Sequence, residues 1–324
     1  MHDAVLKAAF EADRARVQSH MAPSSTDLTP IQKLHALLDD TVAATPSRWA
    51  RHGPLGLNGS LKLRFGSVAA DAEQVDAYAR LAASLGARNV SVCEIGFNAG
   101  HSAAVWLTSN PHLTLHTFDI FGKNDRAKRR CLELLQEHFP NRIVAHAGDS
   151  LVTVPAATVS PPCAIVHVDG MHSYLNVIGD AIQLSRHAEP DARFVFDDQC
   201  ALSACDARSI TPVEPTIATC DLARSGLLEL VSTTRSASGR GWSVYRAGAA
   251  LASRAVRSLP NVDDDVFKRF QLPCSRPCQI VLNAKDAVSR AVQTEWSRPQ
   301  GESTRSYRDR VALTQRRLRP PGCL

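Results

Sequence analysis

The chain has 324 residues, of which 44% are hydrophobic and 21% charged, and its formal net charge is +5. This composition supports a full hydrophobic core and excludes global disorder. The longest apolar runs, of roughly six to eight residues, are too short to span a bilayer, and the first residues lack the apolar core of a secretory signal. We therefore expect a cytoplasmic protein with one large α/β domain or one catalytic domain with attachments.

The first 87 residues show helical periodicity interrupted by one loop-like segment. The spacing of apolar residues predicts helices over 4–20, 31–43 and 71–85. Residues 45–67 contain two prolines and four glycines and are predicted to form a long loop or lid. Residues 1–87 are therefore interpreted as N-terminal helices with a lid loop.

From residue 88 the pattern alternates between short β-rich runs and helical stretches. Strands are predicted at 90–95, 113–119, 142–149, 163–169, 192–198, 227–233 and 241–247. Helices are predicted after the first strand through Leu107, and over 125–139, 174–187 and roughly 212–225. This alternation predicts a parallel sheet with helices on both faces. A hairpin-length loop before the last strand makes that strand antiparallel. Residues 88–247 are thus predicted to form a doubly wound, mostly parallel, seven-stranded α/β sheet.

The basic charge is concentrated in the remaining C-terminal extension, residues 248–324. From residue 247 onward the chain carries 12 Arg and 2 Lys against 5 Asp and 2 Glu. Two helices are possible there, around 262–270 and 282–296. A basic segment can bind nucleic acid or an anionic membrane, but this one lacks interleaved aromatic residues and any known binding module. We expect a solvated appendage, with neither a nucleic-acid nor a membrane partner.

The nine cysteines form no tight framework. Cys93 and Cys163 lie inside apolar strand-like runs, where a reduced cysteine behaves as a small hydrophobic residue. The odd count and the missing secretory signal favour free thiols.

A glycine-containing turn follows the first predicted strand, in the sequence E-I-G-F-N-A-G-H-S from Glu94 to Ser102. Gly96 and Gly100 let the chain turn sharply and let a ligand approach the backbone before a helix begins. The nicotinamide fingerprint needs glycine at two positions that here hold asparagine and histidine, so a dinucleotide site is disfavoured. Asn98 can still adopt the left-handed conformation that a tight turn needs.

The spacing Glu-x-Gly-x-x-x-Gly resembles the first motif of class I, S-adenosylmethionine-dependent methyltransferases, and downstream residues extend the resemblance. Asp119 ends the second strand about twenty residues beyond the glycines, where a carboxylate can accept both ribose hydroxyls. Ile120 follows and could flank the adenine, and Asp149 lies where the family reads the adenine edge. The resemblance also implies that Glu94 faces the methionine amino group, directly or through water. The predicted cofactor-binding residues are Glu94, Gly96, Asn98, Gly100, Ser102, Asp119, Ile120, Asp149 and Ser150.

The fourth and fifth strands end in residues suited to metal binding and proton transfer. Asp169 and His172 follow the fourth strand, and Asp197 and Asp198 end the fifth. Neighbouring strands lie about 4.8 Å apart, so the three carboxylates would repel one another unless a cation lies between them. Mg²⁺ prefers such oxygen ligands and lowers the pKa of a bound hydroxyl. Asp169, Asp197 and Asp198 are the predicted metal ligands, and His172 with Asp169 the predicted catalytic residues, with His172 accepting the proton.

This constellation resembles a metal-dependent branch of the same family, the one that contains macrolide-sugar O-methyltransferases and cephalosporin-hydroxylase-like proteins. There an Asp after strand four, a His three residues later and an acidic pair after strand five serve as metal ligands and base. The resemblance covers roughly residues 88–247, about half of the chain. Here the acidic pair is Asp-Asp rather than Glu-Asp, so one ligand is a methylene shorter.

The predicted function is methyl transfer from S-adenosylmethionine to a hydroxyl of a small-molecule acceptor, with Mg²⁺ assistance as an option. Metal-free relatives also carry D-G-x-H-x-Y and D-D at these strand ends, with the carboxylates hydrogen-bonded to loop amides. The alternatives are a metal-independent N-methyltransferase, for which His172 would be optional, a nicotinamide-dependent oxidoreductase, and a non-catalytic binding protein. The sequence does not identify the acceptor, and it leaves the oligomeric state open, with a homodimer as one option.

Overall fold

The computed structural model describes residues 28–45, 68–122, 125–199, 214–237 and 240–252. The predicted helix 4–20, the predicted loop beyond residue 45 and the two possible C-terminal helices lie outside these residues. The described residues fall into two compact units. Unit 1 contains the described residues up to Gly170 together with residues 187–189. Unit 2 contains Met171–Arg186 and the described residues from Pro190 onward. The division at 87/88 and 247/248 stays a prediction.

The described residues form a seven-stranded sheet with α-helices between most of its strands. The strands are β1 (Val90–Ile95), β2 (Leu113–Asp119), β3 (Ile143–Ala147), β4 (Cys163–Val168), β5 (Ala188–Phe196), β6 (Leu228–Arg235) and β7 (Gly241–Ala247). The helices are α1 (Pro30–Ala44), α2 (Ala72–Ala83), α3 (His101–Ser109), α4 (Arg126–His138), α5 (Ser150–Ala156), α6 (Tyr174–Leu184), α7 (Glu214–Arg224) and α8 (Ala249–Ala252). A 3-10 turn covers Val68–Ala70.

The strand order is β3-β2-β1-β4-β5-β7-β6. In unit 1, β1 pairs in parallel with β2 and β4, and β2 pairs in parallel with β3. In unit 2, β7 runs antiparallel to both β5 and β6. The predicted doubly wound, mostly parallel seven-stranded fold is confirmed.

The structure contains one helix that the sequence did not predict, and one strand begins well before its predicted start. The segment after β3 forms α5, which the sequence analysis did not predict because seven residues containing Pro155 show too little periodicity. Its first turn exists because the Asp149 side chain accepts the backbone N–H of Leu151 at 2.9 Å. β5 begins at Ala188 rather than at 192, because Glu189, Pro190 and Asp191 interrupt the apolar pattern by which the strand was predicted.

Hydrogen bonds tie the carboxyl ends of four strands of unit 1 together. The N–H of Gly96 donates to the carbonyl of Phe118, and the N–H of Gly148 donates to the carbonyl of Asp119, at 2.9 and 3.0 Å. The N–H of Asp169 donates to the carbonyl of Ile95 at 2.9 Å. The loops that follow these strands therefore start from fixed positions at one edge of the sheet.

The expectation of free thiols is wrong for one cysteine pair. Cys93 on β1 and Cys163 on β4 form a disulfide, and both side chains are fully buried. The sequence carried no signal for this bond because the two residues are 70 positions apart. They meet only because β1 and β4 are neighbours in the sheet.

Helix α1 begins with a capping box. The Thr29 hydroxyl accepts the N–H of Gln32, the Gln32 side chain accepts the N–H of Thr29, and Pro30 occupies the first turn. The helix buries Leu34, Leu38 and His35 on the face that packs against α3 and α4. Helix α1 therefore packs within unit 1.

His35 makes the packing of α1 sensitive to pH. Its Nε2 lies 2.9 Å from the carbonyl oxygen of His101, the first residue of α3. Burial, together with the charge of His101, lowers the pKa of His35 from 6.5 to about 4, although the hydrogen bond to the His101 carbonyl and the charge of Asp39 act in the opposite direction. At a pH between these two values the His35 imidazole is protonated in the unfolded chain but not in the folded chain.

We predict that the free energy of unfolding falls as the pH drops from 6.5 towards 4, and that His35→Gln reduces this fall. The contribution of His35 is on the order of 2 kcal/mol, because one unit of pKa shift corresponds to about 1.4 kcal/mol. Urea denaturation at pH 7 and pH 4.5 measures it. The exposed His138 on α4, changed to Gln, is the control. Equal losses in the wild type and in His35→Gln would contradict the assignment.

Candidate active site

The turn between β1 and α3 has the backbone that the glycines predict. Gly96 has φ +98° and Gly100 has φ +83°, a region that side chains rarely tolerate. A Cβ on Gly96 would collide with the carbonyl oxygen of Asp169, so only glycine allows this close approach. Asn98 has φ +49°, which confirms the predicted left-handed conformation. The loop leaves the first turn of α3 without a side-chain cap, as is typical of a helix N-terminus that faces an anionic or polar ligand.

Glu94 lies at the centre of unit 1 and is 0% exposed. Its carboxylate accepts the hydroxyl of Ser102 on α3 at 2.6 Å and the hydroxyl of Thr117 on β2 at 3.3 Å. His167 Nδ1 on β4 lies 3.1 Å from the same carboxylate. His167 is buried on β4, and it is also a partner of Glu94. In the structure the Ser102 hydroxyl donates to the Glu94 carboxylate. The predicted contacts of these two side chains with a cofactor stay predictions.

Asp119 presents its carboxylate beside this turn, as the sequence predicts. Its side chain is 7% exposed and accepts the backbone N–H of Asn98 at 3.0 Å and that of Phe121 at 3.4 Å. Lys128 on α4 donates to both of its oxygens, at 2.9 and 3.0 Å. Sequence reasoning missed Lys128, which lies nine residues after Asp119 in the first turn of the next helix. Ile120 is 73% exposed, so its apolar side chain is available to a ligand.

The third strand contributes the segment from Gly148 to Ser150. Gly148 has φ +140°, and the exposed Asp149 caps α5. Ser150 is the first residue of that helix. The cap assigns Asp149 a structural role, and its predicted contact with the adenine stays a prediction.

In unit 2 the structure pairs two of the predicted site residues. His172 Nε2 lies 2.8 Å from Asp198 Oδ2, and the two side chains are 41% and 20% exposed. Burial alone would raise the pKa of Asp198, but the hydrogen bond and charge of His172, with the charge of Arg240, hold it below its ordinary value. Asp198 also has φ +54°, a left-handed conformation that is uncommon for aspartate. Such strain is typical of functional loops.

The neighbouring Asp197 has a different partner. Its side chain is 2% exposed and accepts Arg240 Nη2 at 3.0 Å, while its other oxygen accepts the N–H of Asp198 at 2.8 Å. Sequence reasoning placed Asp197 and Asp198 on one metal ion, and in unit 2 each of them has a side-chain partner of its own, Arg240 for Asp197 and His172 for Asp198. Arg240 immediately precedes β7, and nothing in the sequence marked it as a partner of Asp197. Asp169 follows β4 at the end of unit 1.

Comparison with known proteins gives a family match for part of the chain. Residues 93–199, about a third of the chain, match a family model described as a methyltransferase domain. This segment is therefore similar to methyltransferase domains. The match, together with a seven-stranded sheet of the order found in class I, S-adenosylmethionine-dependent methyltransferases, confirms the predicted enzyme class.

Solved structures share this fold at low sequence identity. Cofactor-bound Rv0187 from MTB is 17% identical, with a TM-score of 0.51, and the match covers 71% of this chain and 95% of that one. An O-methyltransferase from Bacillus cereus in complex with SAH is 16% identical, with a TM-score of 0.47, over 67% of this chain and 99% of that one. A search of curated proteins finds no match. Among the described residues, no helix is both long and apolar enough to cross a bilayer.

We predict that Glu94→Ala strongly destabilises the methyltransferase fold. The change leaves three buried partners of the carboxylate without their acceptor, which costs about 3–5 kcal/mol of unfolding free energy. Glu94→Gln should cost less because the amide keeps one acceptor oxygen. Urea denaturation measures both. The exposed Glu133→Ala on α4 is the control and should change stability by less than about 0.5 kcal/mol. If the free energy of unfolding of Glu94→Ala equalled that of the wild type, the carboxylate would not hold these strands together.

Proposed function

We propose that the protein transfers the methyl group of S-adenosylmethionine to a hydroxyl of a small-molecule acceptor. The observation that carries the cofactor assignment is Asp119. This nearly buried carboxylate ends β2 beside the Gly96–Gly100 turn, inside the segment that matches the methyltransferase domain. An acceptor of two adjacent hydroxyls at this place in a doubly wound sheet suits a ribose.

The other residues of unit 1 extend the proposed adenosine site. The exposed Ile120 follows Asp119 directly and offers an apolar surface for one face of the adenine. Asp149 and Ser150 begin α5 at the end of the neighbouring strand β3, where they would meet the adenine edge. The turn at Gly96 and Gly100 follows the neighbouring strand β1, where it would meet the methionine portion.

We predict that S-adenosylmethionine binds the purified protein and that Asp119→Ala weakens this binding by roughly 10- to 150-fold. Hydrogen bonds to a charged acceptor are worth about 1.5–3 kcal/mol. Isothermal titration calorimetry measures both affinities. Asp76→Ala on α2 is a matched control, because that carboxylate is 72% exposed and pairs only weakly with Arg80. Absence of binding to the wild type would end the proposal.

The proposed chemistry needs a base, and the His172–Asp198 pair supplies one. S-adenosylmethionine supplies an electrophilic methyl group, so the acceptor oxygen must lose its proton as the bond forms. A neutral imidazole can take that proton near neutral pH. Asp198 accepts the hydrogen bond of the ring, fixes its orientation, and stabilises the imidazolium that forms. The low pKa of Asp198 keeps it ionised for this task.

This pair favours a hydroxyl acceptor over an amine. An amine that is already neutral attacks a methyl sulfonium without losing a proton first, so its N-methylation depends less on an oriented base. The hydroxyl of an alcohol or phenol gains most from one. His172 is also 41% exposed, which leaves it accessible to an incoming acceptor.

Mg²⁺ would be held by Asp169, Asp197 and Asp198, which offer the oxygen ligands that it prefers. It would supply electrophilic help to the acceptor oxygen. In unit 2, however, Arg240 binds Asp197 at 3.0 Å and His172 binds Asp198 at 2.8 Å. A metal ion would have to compete with both, so the proposed proton transfer is assigned to His172 alone.

We predict that His172→Ala lowers kcat by roughly 10²- to 10⁴-fold, the usual size of a general-base contribution. The affinity for S-adenosylmethionine should stay within about twofold of the wild type. Initial rates of methyl transfer, measured over a panel of small phenols and alcohols, test this. His138→Ala is the control, since that residue is exposed on α4. Unchanged rates in His172→Ala would remove the base from the mechanism.

A separate experiment tests the metal. The protein is treated with EDTA and methyl transfer is measured before and after Mg²⁺ is restored. Proton transfer by His172 alone predicts that activity persists in EDTA. Loss of activity that Mg²⁺ restores, with cofactor affinity unchanged, would instead assign Asp169, Asp197 and Asp198 to a metal ion.

A further inference from the structure

Lys128 binds the carboxylate of Asp119, the group that the proposed function needs for the cofactor ribose. Its ammonium lies 2.9 Å from Asp119 Oδ1 and 3.0 Å from Asp119 Oδ2, so it bridges the whole carboxylate. The two side chains are 19% and 7% exposed. This contact is therefore largely shielded from water, unlike an ordinary surface ion pair.

The hydrogen-bonding capacity of Asp119 is already full. A carboxylate offers about four lone-pair positions on its two oxygens. The N–H groups of Asn98 and Phe121 approach one oxygen each, at 3.0 and 3.4 Å. The two contacts of Lys128 take what remains. Two ribose hydroxyls can reach this carboxylate only if a present donor leaves.

Lys128 is the donor that can leave. Asn98 and Phe121 donate through their backbones, and Arg129 fixes the loop after Asp119 by donating to the carbonyls of Phe121 and Gly122 at 2.9 and 3.0 Å. A lysine side chain, by contrast, is long and flexible.

A second carboxylate is ready to receive the ammonium. Asp125 Oδ2 lies 3.9 Å from the nitrogen of Lys128, one turn back on the same helix. The lysine can therefore change partner without entering solvent as an unpaired charge.

We propose that Lys128 is an affinity-determining residue that the ribose of the cofactor must displace from Asp119. This inference rests on the proposed function, because it takes the adenosine to bind at Asp119. In the ligand-free protein Lys128 neutralises a nearly buried carboxylate, and on binding it moves to Asp125. Part of the binding free energy is spent on this exchange, so the lysine lowers the affinity for every ligand that carries the adenosine ribose.

The test is calorimetric titration of the full-length chain with S-adenosylhomocysteine, which carries no sulfonium charge to confuse the comparison. Lys128→Met should bind roughly 5- to 30-fold more tightly than the wild type, the effect of removing a competing interaction of one to two kcal/mol. Lys128→Gln should fall between the two, because its neutral amide still donates one weaker hydrogen bond. The matched control is Arg130→Met, which removes one positive charge from the same helix without touching Asp119 and should stay within about twofold.

An analogue without the ribose 2′ and 3′ hydroxyls separates this mechanism from a general charge effect. Its affinity should not improve in Lys128→Met, since it cannot take the position that the lysine leaves.

Thermal unfolding adds a second readout. Ligand-free Lys128→Met should melt below the wild type, because Asp119 loses its counter-ion, and should gain more from saturating ligand.

The outcomes separate the inference from the proposed function. Lys128→Met and Lys128→Gln that bind no more tightly than the wild type, or a gain that the dideoxy analogue shares, would overturn the role of Lys128 and leave the cofactor site intact. No binding by any of these proteins would overturn the proposed function, and the inference with it.

Discussion

The buried carboxylate of Glu94 is the interaction on which the rest of unit 1 depends. It joins β1, which carries it, to α3 through Ser102, to β2 through Thr117 and to β4 through His167. An ionised group without these donors would cost several kcal/mol in so dry a place. With them it fixes how the helix after the glycine turn sits on the three central strands, and so where that turn can present a ligand.

The loops that follow β1 and β2 are positioned by further contacts around this carboxylate. Gly96 can approach the backbone of Asp169 because it has no Cβ, and its N–H binds β2 next to Asp119. Asp119 is then fixed between the turn and the first turn of α4, where Lys128 meets it. A carboxylate held by two backbone donors and one side-chain donor suits the proposed exchange, because a side chain can leave without moving the backbone groups.

Much of this arrangement could be predicted from the sequence, since it depends on local patterns. Apolar periodicity and glycine spacing placed the strands, the turn and Asp119, because these follow from backbone chemistry over a few residues. The partners of the acidic residues could not be found in this way. Lys128 and Arg240 meet Asp119 and Asp197 only after helices and hairpins fold back, and many charged residues have similar sequence surroundings. The disulfide escaped for the same reason: it depends on which strands are neighbours.

A crystal structure of the protein with S-adenosylhomocysteine tests the central claim most directly, the claim that Asp119 holds the cofactor ribose. We expect both ribose hydroxyls within about 2.6–3.0 Å of the Asp119 carboxylate, the adenine against Ile120, and the ammonium of Lys128 moved to Asp125. A ligand bound elsewhere, with Lys128 still bridging both oxygens of Asp119, would contradict the account.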